Sequence, residues 1–125
     1  MKYAGYIVGR DGTVATSVPE HEVAIHTIGR NAQAIGIELI NAGDGREPYA
    51  DAQVNALAQL VDNVRRRWLI PLADVKGHED LDNSTFRCAG RTVRRKQDPG
   101  PRFPWARFRQ ELGALERMQP VAARR

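Results

Sequence analysis

Three short stretches of this chain hold residues whose types and spacing suit chemistry. Glu38 stands inside the apolar run Ile35-Gly36-Ile37-Glu38-Leu39-Ile40; His78 directly follows Gly77; Lys96 and Asp98 lie two apart in Lys96-Gln97-Asp98-Pro99-Gly100. A carboxylate within an apolar strand is expected to lose part of its hydration, which lifts its pKa toward the range of a general base. Gly36, on the same side of the strand, leaves room for a ligand to approach. The plain alternative is a sheet-edge glutamate that reaches solvent. An imidazole nitrogen and a carboxylate oxygen together can bind zinc, and a lysine beside them can hold a developing oxyanion. In extended backbone Lys96 and Asp98 share a face. Taken singly, His78 reads as a surface or capping histidine, and Lys96 with Asp98 as a salt-bridged turn.

These residues need elements to position them. Tyr6-Ile7-Val8 and the run Thr13 to Val18 flank Gly9-Arg10-Asp11-Gly12, two β-prone stretches around an Asp-Gly turn, which predicts a hairpin. A loop with Pro19, His21 and His26 follows. The run from Ile35 to Ile40 predicts a buried strand, with Ile35, Ile37 and Leu39 on one face and Gly36, Glu38 and Ile40 on the other. From Asp51 to Trp68 the period changes: Val54, Leu57, Leu60, Val61, Val64 and Trp68 form one helical apolar stripe. Asp51 at its start and Arg65-Arg66-Arg67 at its end suit the helix dipole, and Pro71 stops it. Leu72 to Val75 predicts a short strand that hands His78 to a loop. Between Glu79 and Pro101 there is almost no apolar periodicity, so that stretch is expected to be irregular, and either functional or disordered. A last helix from about Pro104 to Met118 is expected to pack Trp105, Phe108, Leu112 and Leu115 onto the core.

Composition bounds the class. A chain of 125 residues with 42% hydrophobic and 27% charged residues fits one globular domain. No apolar run approaches the ~20 residues that span a bilayer, and the start Met1-Lys2-Tyr3 leads into too short an apolar stretch for a secretory signal. The lone Cys88 makes no intrachain disulfide. The net charge of +4 favours an anionic partner, with much of the basic excess between Arg87 and Arg109. Nucleic acid is not expected, because no groove-reading helix or aromatic stacking platform accompanies Arg91 to Arg95. Compartment and oligomeric state are not encoded.

Taken together, the stretches are more specific than any one of them. Asp11-Gly12-Thr13, His26-Thr27-Ile28-Gly29-Arg30-Asn31, Ala34-Ile35-Gly36-Ile37-Glu38, Pro48-Tyr49-Ala50-Asp51-Ala52-Gln53, Gly77-His78-Glu79-Asp80 and Arg95 to Pro101, closed by Phe103 and Trp105, stand in an order that resembles the type-2 N-acetylmuramoyl-L-alanine amidases. These form the AmpD-like branch of the peptidoglycan-recognition superfamily. The resemblance spans about Tyr6 to Leu112. It implies an α+β fold, a mixed β-sheet flanked by helices, with one zinc in a cleft. The implied activity cuts the amide between N-acetylmuramic acid and L-alanine in peptidoglycan or muropeptides. In that frame His78 and Asp98 match zinc ligands, Glu38 the general base, Lys96 the transition-state cation, and His26 and Asn31 cleft positions near the substrate.

The sequence departs from the family pattern in places. The family's opening strand, which carries its first histidine ligand, precedes the hairpin. The resemblance therefore implies an N-terminally incomplete domain over residues 1–118, with two of three zinc ligands, and a basic tail at 119–125 expected to be disordered. Gly5 stands where a further, non-ligand histidine is common, and Ile25 and Thr27 replace a Trp and an Ala around His26. His21, His26 and Cys88 are the candidates for a substitute ligand, each read more simply as a loop hydrogen-bonder or, for Cys88, a small apolar filler. The alternative function is a metal-free peptidoglycan-binding module of the same fold. Retention of Glu38, Lys96 and Asp98 argues against it.

Overall fold

A computed structural model of the chain describes residues 4–20, 35–81, 85–88, 90–94 and 98–119; of residues 4, 79, 81, 85–88 and 91–94 it describes the backbone alone. The strands β1 (Ala4–Val8) and β2 (Val14–Val18) form the expected hairpin. Its turn is held by Gly12 N–H donating to the Gly9 carbonyl at 2.9 Å and by Asp11 Oδ1, which accepts from Thr13 N–H at 2.9 Å. Gly12 has φ 88°, a conformation that an L side chain rarely takes. β3 (Ile35–Leu39) lies parallel to β1, so the sheet runs β2-β1-β3.

The register explains which side of the sheet is buried. Tyr6 pairs with Ile37 and Val8 with Leu39, which puts these four side chains on one face. Val8 is fully buried there, and Ile37 and Leu39 pack against the core. Gly5 opposite Gly36 and Ile7 opposite Glu38 fall on the other face.

The helix α1 (Asp51–Trp68) covers the core face with Val54, Leu57, Ala58 and Val61. Gln53, 1% exposed, ties helix to sheet: its Nε2 donates to the Val8 carbonyl at 3.0 Å and to the Ile40 carbonyl at 2.9 Å. One amide thus reaches carbonyls at the ends of both parallel strands; the Val8 carbonyl also accepts from Ile40 N–H at 3.0 Å. α1 ends in Leu69, whose φ of 53° is left-handed, and Ile70 N–H then donates back to the Arg65 carbonyl at 3.0 Å. The last helix, α3 (Trp105–Met118), buries Phe108 and Leu112 against α1. It runs in the same direction as α1: Arg107 pairs with Asp51 and Asn55 at one end, and Arg66 donates to the Leu115 carbonyl at the other.

Four expectations are corrected. Trp68 is 43% exposed and does not complete the apolar stripe; its indole N–H is drawn aside to donate to Glu20 Oε1 at 2.6 Å. Leu72–Asp74 forms a single 3-10 turn, not a strand; its amides bond locally, Asp74 N–H donating to the Pro71 carbonyl at 3.0 Å and Val75 N–H to the Leu72 carbonyl at 3.1 Å. His78 opens the one-turn helix α2 (His78–Leu81) and does not end a strand. There the Asp80 carboxylate reaches back to accept from Gly77 N–H at 3.1 Å, a local bond that favours a turn. Finally, the stretch expected to be irregular contains a hairpin, β4 (Thr85–Cys88) with β5 (Arg91–Arg94). Its mostly polar and charged residues hide it from an apolar-pattern reading.

Glu20, two residues beyond β2, ties three elements together. It accepts from Tyr6 Oη, from Arg67 Nε at 2.9 Å and Nη2 at 2.5 Å, and from Trp68. The Arg67 guanidinium, helped by the Tyr6 and Trp68 donors, holds the Glu20 carboxyl down to about 2 from an ordinary 4.5. A depressed carboxylate pKa stabilises the fold fully above the unfolded value, and that contribution is lost as pH falls from about 4.5 toward about 2. Because Arg67 is half exposed, Glu20→Gln is expected to cost about 1–2 kcal/mol at neutral pH. Urea midpoints at pH 7 and pH 3 test this: the gap between parent and variant narrows at the lower pH. An equal gap at both would show that the charge contributes nothing.

Candidate metal centre

His78 and Asp98, 20 residues apart in the chain, are neighbours in space: His78 Nδ1 lies 3.4 Å from Asp98 Oδ2. α2 supplies the imidazole, and the segment leading into Pro99 and Gly100 supplies the carboxylate. Both side chains are open to solvent, at 44% and 68% exposure, so a ligand can reach them. A charge-assisted hydrogen bond usually closes to about 2.7–2.9 Å. Two donors on one tetrahedral zinc, each at about 2.0–2.2 Å, stand about 3.3–3.5 Å apart. The observed separation therefore fits two corners of such a site, and the nitrogen–oxygen donor set suits zinc. Among the described residues no third His, Cys, Asp or Glu completes a group of metal donors.

The other anticipated residues divide. Glu38 lies on the sheet face away from α1, opposite Ile7. Its side chain is exposed, which corrects the expectation of a partly desolvated carboxylate. The helix core is built on the other face, where Val8, Ile37 and Leu39 join it. No hydrogen bond or ion pair joins Glu38 to His78 or Asp98 among the described residues. Lys96, His26 and Asn31 lie outside the residues whose side chains are described, as do His21 and Cys88.

Two residues to which the sequence assigned no chemistry touch the supports of the pair. Tyr49 Oη donates to the Pro99 carbonyl at 2.7 Å, directly after Asp98. Gly77, directly before His78, is buried, and a Cβ built on it would lie 2.9 Å from Pro99 Cδ and 3.1 Å from Trp105 Cζ2. Gly77 was visible as the glycine beside the histidine, and Tyr49 within the stretch Pro48 to Gln53 that carries the resemblance. An aromatic chain continues inward: Tyr49 to Phe103 at 5.4 Å, Phe103 to Trp105 at 4.8 Å and Trp105 to Phe108 at 5.9 Å between ring centroids.

Comparison with known proteins gives the family of the chain. A family described as N-acetylmuramoyl-L-alanine amidase matches residues 2–101. The 1,6-anhydro-N-acetylmuramyl-L-alanine amidase AmpD of Enterobacter cloacae is 34% identical over 113 residues, 84% of this chain and 54% of that protein. The N-acetylmuramoyl-L-alanine amidase AmiD of Escherichia coli K12 is 32% identical over 83% of this chain and 40% of its own length. The chain thus spans about half, or less, of the length of these relatives. The solved structure of the endolysine N-acetylmuramoyl-L-alanine amidase LysCS from Clostridium intestinale URNW matches with a TM-score of 0.62 at 27% identity, over 86% of this chain and 61% of that one. The α+β arrangement of a mixed sheet with helices agrees with that neighbour. With a family match across most of its length, the chain belongs to the N-acetylmuramoyl-L-alanine amidase family, in its AmpD-like, type-2 branch.

Proposed function

We propose that this domain hydrolyses the amide between the lactyl group of N-acetylmuramic acid and L-alanine in peptidoglycan or muropeptides, with zinc as its cofactor. The observation that carries the reading is the His78–Asp98 pair, two zinc-type donors brought to 3.4 Å from distant positions at a solvent-open spot. Membership of the amidase family supports the substrate class. No helix among the described residues is long and apolar enough to cross a membrane.

In this reading His78 and Asp98 would hold the ion as two of its three protein ligands, and no described residue supplies the third. When bound, zinc supplies polarisation of the scissile carbonyl and a more acidic water. Glu38, open on its sheet face, takes a proton from the attacking water as its oxygen bonds to the carbonyl carbon. Lys96 pairs with the negative charge that develops on the carbonyl oxygen. When the carbon–nitrogen bond breaks, Glu38 returns its proton to the leaving alanine nitrogen, leaving a lactyl carboxylate and a free peptide amine. His26 and Asn31, by the resemblance, would stand near the substrate.

The test uses the whole chain with added zinc and purified muropeptides, with mass spectrometry of the products. The expected result is release of peptides with a free L-alanine amine, stopped by a chelator and restored by zinc. Binding of muropeptides without release, at saturating zinc, would instead identify a metal-free binding module.

A further inference from the structure

Neither member of the candidate pair is held by its own burial. His78 and Asp98 are both open to solvent. His78 starts a helix of four residues, too short to be stable by itself. Their separation must therefore be set by the groups directly behind them. We propose that Tyr49 and Gly77 are positioning residues for the metal-ligating pair: Tyr49 fixes the Asp98 side and Gly77 lets the His78 side close onto it. This rests on the reading of His78 and Asp98 as zinc ligands.

The Asp98 side is anchored through Pro99, whose carbonyl accepts from Tyr49 Oη at 2.7 Å across 50 positions of sequence. The hydroxyl is aimed by its ring, which meets Phe103 edge-to-face at 5.4 Å. Phe103 is itself 6% exposed and packs on Phe108, 2% exposed, at 5.5 Å. The anchor thus runs from the domain core to the residue after Asp98. Edge-to-face rings of this kind favour one arrangement and resist sliding.

The His78 side closes on the same support. Gly77 lies flush against Pro99 and Trp105, and a Cβ there would stand 2.9 Å from the Pro99 ring and 3.1 Å from the indole. Ordinary carbon contacts need about 3.5–4.0 Å, so a methyl group would push His78 and the Asp98–Pro99 segment apart. Zinc donors tolerate little of this, since ligand distances are fixed to about 0.2 Å.

The test is Tyr49→Phe in the whole chain, which removes one oxygen and keeps the ring. Zinc affinity is read by competition with a chromophoric chelator, at a temperature where melting curves show both proteins folded. Loss of a group that orients a metal ligand ordinarily weakens binding about 10–100-fold, and a loss of that size with a nearly unchanged melting temperature is expected. Gly77→Ala should weaken zinc to a similar degree, whereas Tyr49→Phe serves as the folded control should Gly77→Ala fail to fold. An affinity for Tyr49→Phe within about twofold of the parent's, well short of that range, overturns the proposal and leaves the zinc reading standing. A parent chain that takes up no zinc overturns both.

Discussion

Asp98→Ala is expected to lower muropeptide turnover by about 10³-fold or more, since the polarisation a bound metal supplies amounts to several kcal/mol and each 1.36 kcal/mol is tenfold. The variant leaves His78 without its neighbour at 3.4 Å, so zinc affinity falls in the same preparation. Little stability should be lost, because the Asp98 side chain is 68% exposed and its one described partner is the imidazole. That combination separates a site residue from a structural one. Glu38→Gln provides the contrast: turnover is expected to drop by about 10²–10⁴-fold, the usual contribution of a positioned base, while zinc affinity stays at the parent value. Turnover by Asp98→Ala within about tenfold of the parent, far short of the loss a missing metal ligand brings, would remove Asp98 from the reaction. Loss of zinc in Glu38→Gln would place that carboxylate among the ligands.

Parts of this arrangement were legible in the sequence because local pattern determines them. α1 was readable at both ends: Val54, Leu57, Val61 and Val64 recur at helical spacing, and Pro71 follows at a distance where a helix must already have stopped. The β1–β2 hairpin was readable from Asp11-Gly12, and the faces of β3 from strict alternation. Trp68 was misjudged for a reason outside the helix, since its indole serves a carboxylate 48 positions away. β5 was hidden because Arg91, Thr92 and Arg94 offer no apolar alternation to see, and β4 because Phe86 and Cys88 are too few to stand out. The exposure of Glu38 was equally invisible, because an apolar strand says that one face is covered and not whether the second is.

The site itself was legible only through resemblance. Nothing in Gly77-His78 or in Asp98-Pro99 says that they meet, since that depends on Tyr49, Phe103 and Trp105 packing edge-to-face behind them. Taken alone, each stretch reads as an ordinary turn. The family pattern supplied the pairing; the structure sets the two side chains 3.4 Å apart.

Phe108→Ala carries the largest expected cost to stability, about 3–5 kcal/mol, because removing a buried ring forfeits its transfer energy and leaves a cavity. Phe108 is 2% exposed and meets both Phe103 and Trp105 edge-to-face. Leu112 lies one turn further along α3 in the same cluster as Val54, Leu57 and Val61 of α1. Domains of this size hold only about 5–15 kcal/mol in total, so the variant should be partly unfolded at moderate temperature, with its urea midpoint sharply lowered. Met118→Ala, at 82% exposure on the same helix, should shift it by no more than about 0.5 kcal/mol. The loss also reaches the surface: the aromatic chain from Phe108 through Phe103 to Tyr49 ends at the carbonyl next to Asp98. Zinc affinity of the folded fraction should therefore fall along with stability, whereas Met118→Ala leaves both alone. Equal urea midpoints for the two variants would mean that α3 does not close the core through Phe108, and the support assigned to the Asp98 segment would go with it.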